Sequence, residues 1–188
     1  TISFSSIVLG FPMPIILALL LNETRRLSYK KFAQSISYLP YFVSVVVVVG
    51  IFKQFVSLDQ GIINDLIAAF GGERIYFLGE AKWFIWIYMA MIIWRWTGYD
   101  SIIYMAAITS IDPSLYEAAE VDGAGRLRKL WHITLPGLKS TIVVLLILRL
   151  GGIMNLQWQE ILLMQNSLNE VASEVIQTFV YKRGLLNA

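Results

Sequence analysis

Arg95 and Asp100 stand inside Trp94-Arg95-Trp96-Thr97-Gly98-Tyr99-Asp100, a segment with apolar residues on both sides, and Arg149 stands in a second apolar run. Charges at membrane depth are expensive, so they face a protein interior or a wet cavity, either as packing pairs or as the lining of a path. Two pairings are open. Asp100 can meet Arg149, or it can meet Arg95 if the helix bends at Gly98, because residues five apart project to different faces. Aromatic rings offer faces for stacking, and amides and arginine offer hydrogen bonds, the latter to carboxylates above all. Trp94, Arg95, Trp96, Tyr99, Asp100, Asn155, Gln157 and Trp158 have that chemistry and form a candidate substrate pathway. The alternative is that these aromatics anchor interfaces or fill packing space. Glu160 reads as solvated, on a segment that could gate the pathway.

Other chemistry is poorly supplied. The chain has no cysteine and one histidine, His132, so it holds neither a thiolate nor a histidine metal cluster. An intramembrane enzyme would have to work with Arg95, Asp100 and Glu160, which offer no nucleophile–base pair. No Gly-x-x-x-x-Gly-Lys-Ser/Thr loop is present to cradle nucleotide phosphates. The net charge of +2 is too small to point to nucleic acid.

The elements that must hold these residues are set by hydropathy. Of 188 residues 57% are hydrophobic and 15% charged, which excludes an ordinary soluble domain. A helix needs about 20 apolar residues to cross the hydrocarbon core. Four such runs are predicted, at about residues 2–21, 36–56, 83–107 and 138–153, giving an all-α, polytopic membrane protein with one transmembrane domain over residues 1–188. The second contains Val45-Val46-Val47-Val48-Val49, read at this length as a lipid-embedded helix. Lys and Arg concentrate in cytoplasmic connections. Residues 22–35 carry Arg25, Arg26, Lys30 and Lys31, and residues 108–139 carry Arg126, Arg128, Lys129 and Lys139, so both face the cytoplasm. Residues 57–82 balance Arg74 and Lys82 against Asp59, Asp65, Glu73 and Glu80 and belong outside, as do residues 154–188. Within the first outer loop, Gly61–Gly71 reads as a short helix, either on the outer leaflet or packed as a loop helix. The chain begins with Thr1 beside an apolar run, as a piece of a longer protein would.

Between the third and fourth spans, residues 112–136 read as a cytoplasmic elbow. Asp112 is a good N-cap and Pro113 a good first helical residue, so a helix starts there and breaks near Gly123 and Gly125. Leu115, Ala118 and Ala119 share a side that lets another surface approach closely. A second amphipathic helix, from Arg126 to about Thr134, precedes Leu135-Pro136, where the membrane span resumes.

Here the sequence resembles the permease family of ATP-binding-cassette importers, whose pattern is Glu-Ala-Ala, three residues, Gly, nine residues, then Ile-x-Leu-Pro. Glu117-Ala118-Ala119, Gly123, Ile133, Leu135 and Pro136 match at all seven positions. At roughly 5–10% usage per residue type, chance gives this on the order of 10⁻⁸ per window. Leu17-Ala18-Leu19-Leu20-Leu21-Asn22-Glu23, Ser37-Tyr38-Leu39-Pro40, Ser101-Ile102-Ile103-Tyr104 and Val180-Tyr181-Lys182-Arg183-Gly184-Leu185 resemble the carbohydrate permeases that import polysaccharide fragments. Asn155-Leu156-Gln157-Trp158-Gln159-Glu160 departs from that pattern, where a less polar, Gly-containing stretch is expected.

The resemblance implies about six spans, one more before Thr1 and one more after Ala188. It implies a coupling helix, with Tyr116, Glu117, Ala118, Ala119, Asp122, Gly123 and Arg126, seated in a groove of a separate ATPase subunit. It also implies a second homologous permease, an extracytoplasmic solute-binding protein, a carbohydrate substrate and a bacterial plasma membrane. ATP and Mg would be used by the partner ATPase, with no cofactor and no catalysis in this chain. A permease of the same design for amino acids, peptides or another small solute would share the elbow, and only the subfamily segments argue against it.

Overall fold

The computed structural model describes residues 2–24, 26–153 and 157–186. Arg25 and Asn155, named above, lie outside the described residues. The described chain is helical throughout. It opens with α1 (Ile2–Ser5), a π-helical turn over Ser6–Gly10 and α2 (Pro12–Glu23), which together make one rod over 2–23. Pro12 and Pro14 donate no backbone hydrogen bond and would clash with the carbonyls four residues back. The wider π turn just upstream absorbs that conflict, and the rod continues instead of breaking.

The second expected span takes a different path. Where the sequence predicts one helix over 36–56, the chain forms α3 (Leu27–Phe42) and α4 (Val45–Phe55), which meet at 101°. Val43 and Ser44 are both extended at the break, and Ser44 caps α4 by accepting the Val47 N–H at 3.4 Å. Pro40 has already removed one donor from the end of α3, so the helix is weakest there. The five valines that follow fixed the apolar character of α4 but said nothing about its direction.

After α5 (Ile62–Ala69) comes α6 (Ala81–Thr109), 29 residues long and covering the third expected span. It is the central element, wrapped chiefly by α2 and α3. Two apolar clusters pack along it. Phe84, Tyr88 and Met91 meet Val48 of α4 and residues Ile161 and Met164 near one end, and Tyr104, Met105 and Ile108 meet Ala18 and Leu21 near the other. Between them lies a polar belt with Arg95, Gly98 and Ser101 buried. Burial by neighbouring helices is what allows α6 to hold these groups.

Gly98 does not bend α6. A Cβ there would sit 1.8 Å from the Ser37 carbonyl oxygen and 2.3 Å from its carbon, so the glycine lets α3 and α6 touch backbone to backbone.

Beyond α6, α7 (Pro113–Val121) is followed by α8 (Arg126–Lys129), a π turn over Leu130–Thr134 and α9 (Leu135–Gly151). Arg126–Gly151 is a single 26-residue rod, so the second elbow helix runs on where the sequence suggests a new start at Pro136. The cause again is a π turn directly before a proline. Among the described residues, Ile2–Glu23 and Arg126–Gly151 are each long and apolar enough to cross a membrane, and the bent α3–α4 pair makes a third if it is one span. The chain closes with α10 (Trp158–Met164), α11 (Glu170–Ser173), α12 (Ile176–Tyr181) and a final π turn.

Replacing Gly98 by Ala forces the α3 and α6 backbones apart, an overpacking cost of about 1–3 kcal/mol. We expect a lower thermal midpoint for Gly98→Ala in detergent, unrelieved by Ser37→Gly because the clash is with backbone; an unchanged midpoint contradicts the close approach.

Candidate functional site

The elbow is built locally, as its residue types dictate. Asp112 accepts the Ser114 N–H at 2.9 Å, and this bond holds its carboxyl below the usual carboxylate range. At the far end of α7, Asp122 is the C-cap and Gly123 has φ +71°. The Gly123 N–H donates to the Glu120 carbonyl at 3.0 Å and the Ala124 N–H to the Ala119 carbonyl at 2.8 Å. This is the paired helix-ending pattern that needs a left-handed residue, hence glycine. A Cβ on Gly123 would meet nothing within 4 Å, so the requirement is conformational and not one of space.

Two links fasten the elbow to the long rod. Tyr116 and Thr134 share a hydrogen bond of 3.0 Å between their hydroxyls, and Lys129 Nζ donates to Glu120 Oε1 at 2.5 Å. No residue of α7 is buried. Glu117, Ala118 and Arg126 are exposed and Ala119 is half-buried. Leu115, Val121, Leu127 and Trp131 are all more than half exposed, so the elbow presents an apolar surface with acid beside it. Ala119 and Asp122 also border a cavity of about 260 Å³ with Arg128 and His132.

The intramembrane set divides into three places. Arg95 is buried and its Nη1 donates to Glu160 Oε1 at 2.5 Å. Its Nη2 lies 3.5 Å from the Val43 carbonyl, one of those freed where α3 gives way to α4. Arg95 and Glu160 line a cavity of about 370 Å³ with Trp96, Gln157, Trp158 and Gln159, so four residues of the predicted pathway, Arg95, Trp96, Gln157 and Trp158, come together. The guanidinium sits 5.7 Å from the Trp96 ring, which meets Tyr41 at 5.1 Å. Tyr41 in turn stacks on Tyr99 at 3.8 Å with the rings 6° from parallel.

Asp100 is elsewhere, at 3.9 Å from Arg149 Nη1, across a cavity of about 270 Å³ between α6, α9 and the opening rod. A third space of about 180 Å³ touches both Arg149 and Gln157, so it shares lining residues with each of the other two. Trp94 belongs to neither. It points away, 5.7 Å from Phe52, and lines a separate space with Ser37, Pro40 and Gly98.

Of the two pairings left open, the structure makes Asp100–Arg149 and not Asp100–Arg95. Glu160, read from the sequence as solvated, is 3% exposed. It is the important residue that sequence reasoning missed. Its signal was present: a lone carboxylate ahead of Ile161-Leu162-Leu163-Met164, and an Arg95 with no acid at helical spacing on its own face. Tyr41 was missed because its partners lie on another helix.

Apolar helices of membrane-crossing length, packed with a central helix whose charges are paired and carrying an exposed elbow, have the build of a membrane-embedded component. The chain belongs to the binding-protein-dependent transport system inner membrane component family, which it matches over residues 10–184. It is 50% identical over 180 residues to the polygalacturonan/rhamnogalacturonan transport system permease protein YteP of Bacillus subtilis (strain 168), covering 96% of this chain and 56% of that protein. It is 47% identical to protein LplB of the same organism, over 95% of this chain and 56% of LplB. It thus spans little more than half the length of these relatives. The same fold occurs in the crystal structure of a bacterial ABC transporter involved in the import of the acidic polysaccharide alginate. That match has a TM-score of 0.96 and 44% identity, over all of this chain and 65% of the other.

An alanine at φ +71° costs about 1 kcal/mol in helix termination. Gly123→Ala should therefore speed proteolysis of the elbow, whereas Gly125→Ala, at φ −69°, should not; equal rates for the two variants count against the glycine turn described here.

Proposed function

We propose that this chain is the core of a permease subunit of an ATP-binding-cassette importer that carries oligosaccharides or polysaccharide fragments across a bacterial plasma membrane. The observation that carries this reading is α7, a capped helix with no buried residue, held to a membrane-length rod by Tyr116–Thr134 and Glu120–Lys129. A nine-residue helix that buries nothing in its own chain has an apolar and acidic face free for a second protein. The partner is an ATPase subunit, and it is this partner that uses ATP and Mg. Closing of an ATPase pair would rock this subunit against a second, homologous permease, with each state biased by ligand at a distance.

The cargo follows from the wall chemistry. Trp96 and Trp158 offer faces for sugar rings, and Gln157 and Gln159 offer amides for hydroxyls. The relatives named for polygalacturonan, rhamnogalacturonan and alginate support a saccharide that is acidic. An extracytoplasmic solute-binding protein would deliver it; the alginate transporter has been solved in complex with a periplasmic protein bound to alginate pentasaccharide. Amino-acid or peptide permeases of the same design would share the elbow but have no comparable support here.

Glu117→Lys puts a cation on the acidic side of α7, and like-charge contacts across an interface cost enough to lower transport about tenfold or more. In cells carrying the full-length protein, oligosaccharide uptake should fall to that extent while membrane insertion stays normal; undiminished uptake at normal expression would sink the coupling assignment.

A further inference from the structure

Both arginines of the polar belt already have carboxylates, Arg95 with Glu160 and Arg149 with Asp100, so the three cavities that they line carry no net positive charge. An acidic sugar would meet cations that are taken. Yet the guanidinium of Arg95 is only partly used. Nη1 is bound to a single oxygen of Glu160 and Nη2 is at the limit of hydrogen bonding to Val43. Nε is buried and has no partner among the described residues, and the same is true of the indole Nε1 of Trp96. Arg95 and Trp96 both line one cavity, and these two unpaired donors are turned away from its open space. A buried donor without an acceptor is a standing cost, which a ligand rich in oxygen removes if the side chain turns to meet it.

We propose that Arg95 is a carboxylate receptor which Glu160 fills in the absence of cargo, and that a uronate carboxylate of an acidic saccharide takes the place of Glu160 in passage. This rests on the reading of the chain as a saccharide permease. The exchange swaps one carboxylate for another on the same guanidinium, so Arg95 is never left unpaired, and the displaced Glu160 carboxylate turns to the cavity that it lines with the amides of Gln157 and Gln159. An arginine with no resident partner would be costly to bury and would hold an anion too firmly to release it; a path needs binding weak enough to leave. Guanidinium geometry favours the swap, since a turn of the Arg95 side chain that gives up the 3.5 Å contact of Nη2 with Val43 would present the Nε and Nη2 edge to both oxygens of a carboxylate, where Glu160 now engages one nitrogen with one oxygen. The side chain that yields sits on α10, a helix of seven residues packed on α4. Glu160 is thus a positioning and selectivity residue acting through Arg95.

The test uses the full-length protein with its partner subunits and two probes, a galacturonate oligosaccharide and the same oligosaccharide with its carboxyls reduced to alcohols. Arg95→Gln should lower uptake of the acidic probe about tenfold or more relative to the reduced probe, in preparations whose partner subunits still co-purify. Arg95→Gln combined with Glu160→Gln replaces the ion pair by neutral amides that can still hydrogen-bond, and should show the same split. Glu160→Gln alone should lower KM for the acidic probe and lower its maximal rate, because the receptor is then vacant and releases slowly. Wild-type uptake of the acidic probe by the double variant would show that the pair only packs helices. Equal loss of both probes in Arg95→Gln, or an unchanged KM in Glu160→Gln, would also overturn the exchange while leaving the permease in place. If the wild type moves only the acidic probe, the KM shift of Glu160→Gln decides; if it moves neither, the saccharide reading fails and the exchange with it.

Discussion

A cation in the interior of a helical bundle must be answered by something, and Arg95 at the midpoint of α6 is the group to which much of the architecture responds. Glu160 arrives from 65 residues later in the chain to neutralise it. The broken joint between α3 and α4 brings the Val43 carbonyl beside it. Trp96 offers a ring face. Above and below, two separate apolar clusters close over the ends of α6 and leave the polar belt between them. Isolating a charge pair in this way raises the cost of losing either partner, because water cannot replace what is removed.

The second organising feature is how the chain treats proline. Pro12, Pro14 and Pro136 each follow a π-helical turn, and in both places the helix passes through. Pro40 has no such turn before it, and α3 ends two residues later at Phe42. The wide turn moves the preceding carbonyls out of the way of the ring, so the same residue type yields a rod in one setting and a corner in another. The corner is the productive case here, since helix ends free backbone carbonyls that a neighbouring side chain can reach.

What the sequence disclosed was local, and what it hid was long-range. The elbow was legible because an Asp-Pro start and a Gly end are determined by residues in contact along the chain, and the structure places each in its expected role at Asp112, Pro113 and Gly123. The helical short loop over Ile62–Ala69 was legible for the same reason. The corner at Val43-Ser44 was not, because a run of valines satisfies lipid or protein in either direction. The division of Arg95, Asp100 and Arg149 into two pairs was half visible: composition required partners, but only the packing of α10 selected Glu160. Gly98 was noticed as a place for a bend, and its true use depends on Ser37, which no spacing rule on α6 could supply.

The unbroken helix from Arg126 to Gly151 behaves mechanically as a lever. Its elbow end is fastened to α7 by Tyr116 and Thr134, and Arg149 stands near the other end, 23 residues or roughly 35 Å from Arg126. A tilt of about 5° about the elbow would sweep Arg149 by about 3 Å, comparable to its whole 3.9 Å separation from Asp100. The looser of the two ion pairs is therefore a strain gauge for the elbow, and the tighter one, off the lever, keeps its zero.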